Sequence, residues 1–182
     1  MAALFHDIAK PDTFTMINKD GLMQGRFLTH PEVGAKIATK IMKRLRFSSE
    51  EIEEITYLII NHDGLLPSTK KAVKKMIAKA PNESFEVFEK LIDLKNADRS
   101  DHLYLDSVKV DELLFIAEEI KRNNECLKVT DLKVSGFELM EMGFVGKQIG
   151  EILKYLLQKC LDEEINNEKD ELIEEVKKTF LS

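Results

Sequence analysis

Four histidines occur in this chain of 182 residues, and two of them, His6 and His62, are followed directly by an aspartate, Asp7 and Asp63. An imidazole nitrogen beside a carboxylate oxygen makes an N,O pair suited to a divalent ion, above all at the end of an apolar helix such as Leu4-Phe5-His6-Asp7. His30, His62-Asp63 and Asp98 follow in order, so metal-holding residue types recur through the first hundred positions. Each has a plainer reading. Taken alone, His6-Asp7 is a helix-end capping pair, His30 is a loop or first-turn residue bonded to nearby backbone, and His62-Asp63 caps a helix C-terminus and meets its dipole. His102 lies four residues after Asp98, can share a helix face with it, and reads as a surface or neighbouring group. Cys126 and Cys160 have no Cys or His neighbour at ligand spacing and are too few for a disulfide framework, which fits a reducing cytoplasm.

The elements that must position these residues read as helices. With 43% hydrophobic and 33% charged residues, the chain can bury one sizeable core or two small ones. No apolar run approaches the roughly 18–20 residues a membrane span needs, and no signal peptide opens the sequence. Residues 1–7 read as the last turns of a buried helix that begins in mid-element. Residues 10–30 form a loop or small hairpin, with Asp20-Gly21 as its turn. After Pro31, Val33, Ile37, Ile41 and Leu45 recur at helical spacing up to Phe47, where Ser48-x-x-Glu51 supplies a capping box. The next helix carries Ile52, Ile55, Leu58 and Ile59 to a stop at Gly64. A short basic helix spans Thr69 to Ala80, and Phe85, Phe88, Leu91, Ile92 and Lys95 continue into Asn96-Ala97-Asp98-Arg99. Val108 to Asn123 is a further amphipathic helix, and Ser135-x-x-Glu138 caps a smaller helical unit ending near Leu181.

Three stretches carry a family resemblance: Leu4-Phe5-His6-Asp7-Ile8-Ala9-Lys10-Pro11; Phe27-Leu28-Thr29-His30-Pro31-Glu32-Val33-Gly34-Ala35 with Lys43-Arg44-Leu45-Arg46-Phe47-Ser48; and Asp131-Leu132-x-Val134-Ser135-Gly136-x-x-Leu139-Met140-x-x-Gly143, running on through Gly146-Lys147-Gln148-Ile149-Gly150. The first, with the later His and Asp residues, resembles the HD superfamily of metal-dependent phosphohydrolases. All three together resemble the bacterial-type CCA-adding tRNA nucleotidyltransferases. The resemblance implies an all-α fold: an HD-domain-like helical bundle over residues 1–123, followed by a small C-terminal helical module over 124–182 that binds RNA. It implies that His6, Asp7 and Asp98 match the core metal positions and that His30 and His62, with Asp63 beside it, match added ones. The family's first His lies on a helix upstream of His-Asp, and this sequence starts too late to contain it. Nor does it contain the head with a Gly-Ser motif and paired carboxylates, so no nucleotidyl-transfer residues are expected. The implied cofactor is a divalent metal, Mg, Mn, Ni or Co. The implied partners are tRNA and a nucleotide or phosphate-ester substrate, with no membrane and no DNA.

Charge placement bears on the RNA. The net charge of −6 argues against a general nucleic-acid binder, but residues 1–80 hold 13 basic against 9 acidic residues, a balance of +4, leaving 14 against 24, or −10, for the remainder. Lys36, Lys40 and Lys43, with Arg44, follow helical spacing; Lys70, Lys71, Lys74 and Lys75 crowd one short helix; and Gly146-Lys147 opens a helix whose free N–H groups can receive a phosphate. Lysine stripes are more often solvated faces opposite a core, and Leu139, Met140, Met142 and Phe144 read as core packing. Three functions stay open: a tRNA-handling part of a nucleotidyltransferase, a free-standing metal phosphohydrolase on nucleotides or cyclic phosphates, and a helical scaffold.

Overall fold

The computed structural model describes residues 1–99 and 107–181. His102 lies outside them. Among the described residues the fold is all-α apart from one hairpin: α1 (Ala2–Phe5), α2 (Lys10–Thr13), β1 (Thr15–Lys19), β2 (Leu22–Arg26), α3 (His30–Arg44), α4 (Ser49–Asn61), α5 (Lys70–Lys79), α6 (Phe85–Arg99), α7 (Ser107–Arg122), α8 (Gly136–Glu141), α9 (Lys147–Leu161) and α10 (Lys169–Phe180). No described helix is long and apolar enough to cross a membrane.

Two compact units result, one from Met1–Leu66 with Ala80–Asp111, the other from Pro67–Lys79 with Glu112–Ser182. Residues 123 and 124, the boundary expected from the polar run there, both belong to the second.

In the first unit, α3 and α4 pack against each other, and their inward residues Ala35, Ala38, Met42 and Ile59 join Phe5 in one apolar cluster. Gly34 of α3 faces Ile8, Ala9 and the carbonyl of His6, where a Cβ built on it would make ordinary van der Waals contact. The capping box forms as the sequence predicts. Ser48 Oγ accepts from the amide of Glu51 at 3.2 Å, and the Glu51 carboxylate accepts from the amide of Ser48 at 2.8 Å. The hairpin is antiparallel with Met16 opposite Gly25, and Asp20 and Gly21 both take positive φ, 54° and 83°, as a two-residue turn matched to strand twist requires.

The second unit buries Leu132, Val134, Leu139, Phe144, Ile152, Leu156, Leu172 and Val176 with the free thiols Cys126 and Cys160. Leu139 and Phe144 are core, as expected, and Met142 packs against it. Met140 corrects the expectation: it is 54% exposed, on the outer face of a six-residue helix whose inward face is taken by Leu139.

Candidate metal centre

The ends of four helices in the first unit supply the site. His6 closes α1 and is followed by Asp7; His30 is the first residue of α3; His62 follows the last residue of α4; Asp98 lies in the last turn of α6. Each imidazole is oriented by a carbonyl three residues before it: His6 Nδ1 donates to Ala3 at 2.9 Å, His30 Nδ1 to Phe27 at 2.6 Å and His62 Nδ1 to Ile59 at 2.7 Å. A carbonyl can only accept, so Nδ1 of each ring carries a proton, and in the neutral form of each ring Nε2 presents a lone pair.

These lone pairs converge. His30 Nε2 and His62 Nε2 are 3.2 Å apart, and Asp7 Oδ1 stands 3.4 Å from the first and 3.8 Å from the second. His6 Nε2 lies 3.1 Å from Asp98 Oδ1 and 3.4 Å from Asp7 Oδ2. Lone pairs and carboxylate oxygens at such distances repel unless a metal cation or a ring proton lies among them. Asp7 Oδ1 registers the same fact, being buried with no hydrogen-bond partner. Two overlapping triads of ligand atoms, His6-His62-Asp98 and Asp7-His30-His62, each lie within 4.8 Å of one another. The residues therefore fit a divalent metal.

The surroundings keep the ligands in their binding forms. Burial pushes the His62 imidazole down, the bond to Ile59 pulls it up, His6 and His30 lower it and Asp98 raises it; the net shift is below the usual 6.5, so the ring stays neutral. Burial alone would raise the Asp7 carboxyl, but the hydrogen bond from Lys10, with the charges of His6, Lys10 and His30, holds it below 3.8. Lys10 Nζ meets Asp7 Oδ2 at 2.6 Å. Neither Lys10 nor Lys95 was expected at the site. The buried Lys95 ammonium donates to the carbonyls of His62, Asp63 and Gly64 at 2.9, 2.9 and 3.1 Å, closing the end of α4 that carries His62.

Other expected residues fall elsewhere. Asp63 is exposed and accepts from the amide of Gly64 at 2.6 Å, away from the converging groups. Lys36, Lys40, Lys43 and Arg44 are exposed on α3, and among the described residues none is in an ion pair. The lysines of α5 are not an open basic face. Lys74 is buried, donating to the Cys160 carbonyl at 3.0 Å and paired with Glu125 at 3.0 Å, so it is withdrawn from any phosphate. Lys70 is paired with Glu125 and Glu163, and Lys71 and Lys75 share Asp162. Gly146 and Lys147 are exposed at the start of α9, with Gly146 at φ 55° and no side-chain cap.

The chain matches the HD domain family over residues 1–131. It is 36% identical over 99 residues to the CC-adding tRNA nucleotidyltransferase of Thermus thermophilus and 29% identical over 98 residues to the A-adding tRNA nucleotidyltransferase of Deinococcus radiodurans. Each alignment covers 54% of this chain and 21% of the relative, so the chain matches only about a fifth of the length of these proteins. No solved structure matches.

Proposed function

The chain belongs to the HD domain family, and from that premise we propose that it is a tRNA-handling part of a nucleotidyltransferase-type protein, binding tRNA and holding a divalent metal. The convergence of His6, Asp7, His30, His62 and Asp98 in a chain similar to CC-adding and A-adding enzymes carries the reading. His30, His62 and Asp7 would hold one side of the ion's surroundings, and His6 and Asp98 the other. Lys10, half-exposed, is paired with Asp7 at 2.6 Å and keeps that carboxylate charged at the cluster. From His30 the helix α3 runs on with Lys36, Lys40, Lys43 and Arg44 outward, about 1.5 Å per residue, a spacing at which the cations can follow a phosphate backbone.

A second reading, hydrolysis of a phosphate ester at the cluster, rests on its one-sided exposure: His30 and His62 are buried, whereas the Asp7 and Asp98 side chains are 35% and 32% exposed. Water and a substrate oxygen can approach the carboxylate side. A divalent ion held by Asp7, His30, His62, His6 and Asp98 would supply Lewis acidity there and activate a water.

The test is metal analysis of tag-free protein, wild type against Asp7→Asn, together with tRNA binding at rising salt. Near-stoichiometric metal lost in Asp7→Asn, and tRNA affinity that falls steeply with salt, are expected. Metal-free wild type would remove the metal role, and affinity insensitive to salt would remove the tRNA role. Phosphatase assays with Mn, Co, Ni or Mg against nucleotides and 2′,3′-cyclic nucleotides decide the second reading.

A further inference from the structure

The β1–β2 hairpin lies in sequence between His6-Asp7 and His30, and it leaves Phe14, Met16, Leu22 and Met23 largely in water. Phe14 differs from the others in being held. Its ring rests where a side chain at Gly25 would stand, with Phe14 Cε2 only 2.5 Å from a Cβ built there. It packs on Phe27 at a centroid distance of 5.4 Å and an interplanar angle of 48°. Phe27 in turn lies under Lys10, whose Nζ is 5.9 Å from the ring centroid and 2.6 Å from Asp7 Oδ2. The Phe27 carbonyl also orients His30 Nδ1. One series of contacts thus leads from the ligand cluster, through a lysine, to a fixed aromatic ring that is 52% exposed.

We propose that Phe14 is a stacking platform for a nucleobase, receiving a base of a strand end whose phosphate lies at the Asp7 cluster. This rests on the reading of the cluster as a site for phosphate esters. The occupant follows from the chemistry. An exposed aromatic ring joined through Phe27 and Lys10 to a site for phosphate esters suits a ligand that carries a ring beside a phosphate, and every base offers a π face to such a platform. The bare Gly25 keeps the ring seated against β2 instead of free to turn into solvent.

The chain has no tryptophan, so Phe14→Trp introduces a single reporter. Its fluorescence is followed while a short single-stranded RNA ending in a 3′-phosphate is added, and again with an abasic strand of the same length and charge. Saturating quenching by the RNA and none by the abasic strand is expected. In competition assays, Phe14→Ala and Phe14→Leu should weaken RNA binding by about tenfold, as loss of one stacked base does, and leave abasic-strand affinity and metal content unchanged. Gly25→Val, which displaces the ring, should act in the same direction. Equal affinity of the wild type for the two strands, or no quenching at saturation, overturns the proposal. Full binding by Phe14→Leu also overturns it, since that outcome marks an apolar contact such as a protein partner makes. Metal content separates the two ideas. Metal-loaded protein that ignores the base removes this inference alone, and metal-free protein that still distinguishes the strands removes the phosphate-ester reading and leaves base stacking standing.

Discussion

Asp7 and His62 both resist protonation in the fold, so acid acts on the site in one direction. His62 titrates below its usual 6.5 and Asp7 below 3.8. Below 6.5 the unfolded chain takes up a proton at His62 that the folded chain refuses. The associated stability is therefore present above that value and lost as pH falls from it toward the folded value, with Asp7 adding a further loss below 3.8. Urea midpoints of metal-free protein should fall between pH 7.5 and pH 5.5, and His62→Gln should flatten that slope; an unchanged slope in the variant would assign it to other groups. Sequence order alone brings His6, Asp7, His30, His62 and Asp98 into view because histidines are few and the resemblance supplies the register. It does not give direction. Asp63 is as close to His62 in sequence as Asp7 is to His6, yet its carboxylate turns back to the Gly64 amide. Phe14 reads as one more apolar residue until the Gly25 contact is known.

At the level of elements, the end of α4 is held by a side chain from α6. Lys95 falls on the same stripe as Phe88, Leu91 and Ile92, where a charge survives only if its donors are satisfied, and the carbonyls of His62, Asp63 and Gly64 satisfy them. The stripe was legible, but its partners lie more than thirty positions away and no local pattern names them. The capping boxes at Ser48 and Ser135 were legible because both halves lie within three residues. Lys95→Met keeps the apolar stem and removes the donors, leaving helix-end carbonyls unpaired at a cost of about 1–3 kcal/mol. Thermal melts should show that loss. Metal affinity should fall with it, because His62 leaves α4 at the segment Lys95 holds; unchanged affinity at a lowered Tm would confine Lys95 to stability.

For the whole molecule, a net charge of −6 hides two kinds of lysine that the sequence spaces alike. Along α3, Lys36, Lys40 and Lys43 stay in water without ion pairs among the described residues, opposite the buried Ala35, Ala38 and Met42. Along α5, Lys70, Lys71, Lys74 and Lys75 are engaged by Glu125, Asp162 and Glu163, whose positions in the chain give no hint of the pairing. A lysine already neutralised releases little when it meets a phosphate, because its counter-charge is protein rather than an exchangeable ion. Only the α3 set should count in the salt dependence of tRNA binding. Replacing Lys36, Lys40 and Lys43 together by alanine should reduce the slope of log affinity against log salt by about two to three, the release expected for three phosphate contacts. Replacing Lys70 and Lys71 should leave the slope unchanged. The reverse pattern would mean that RNA breaks the α5 ion pairs on binding and that the exposed α3 face is solvated surface.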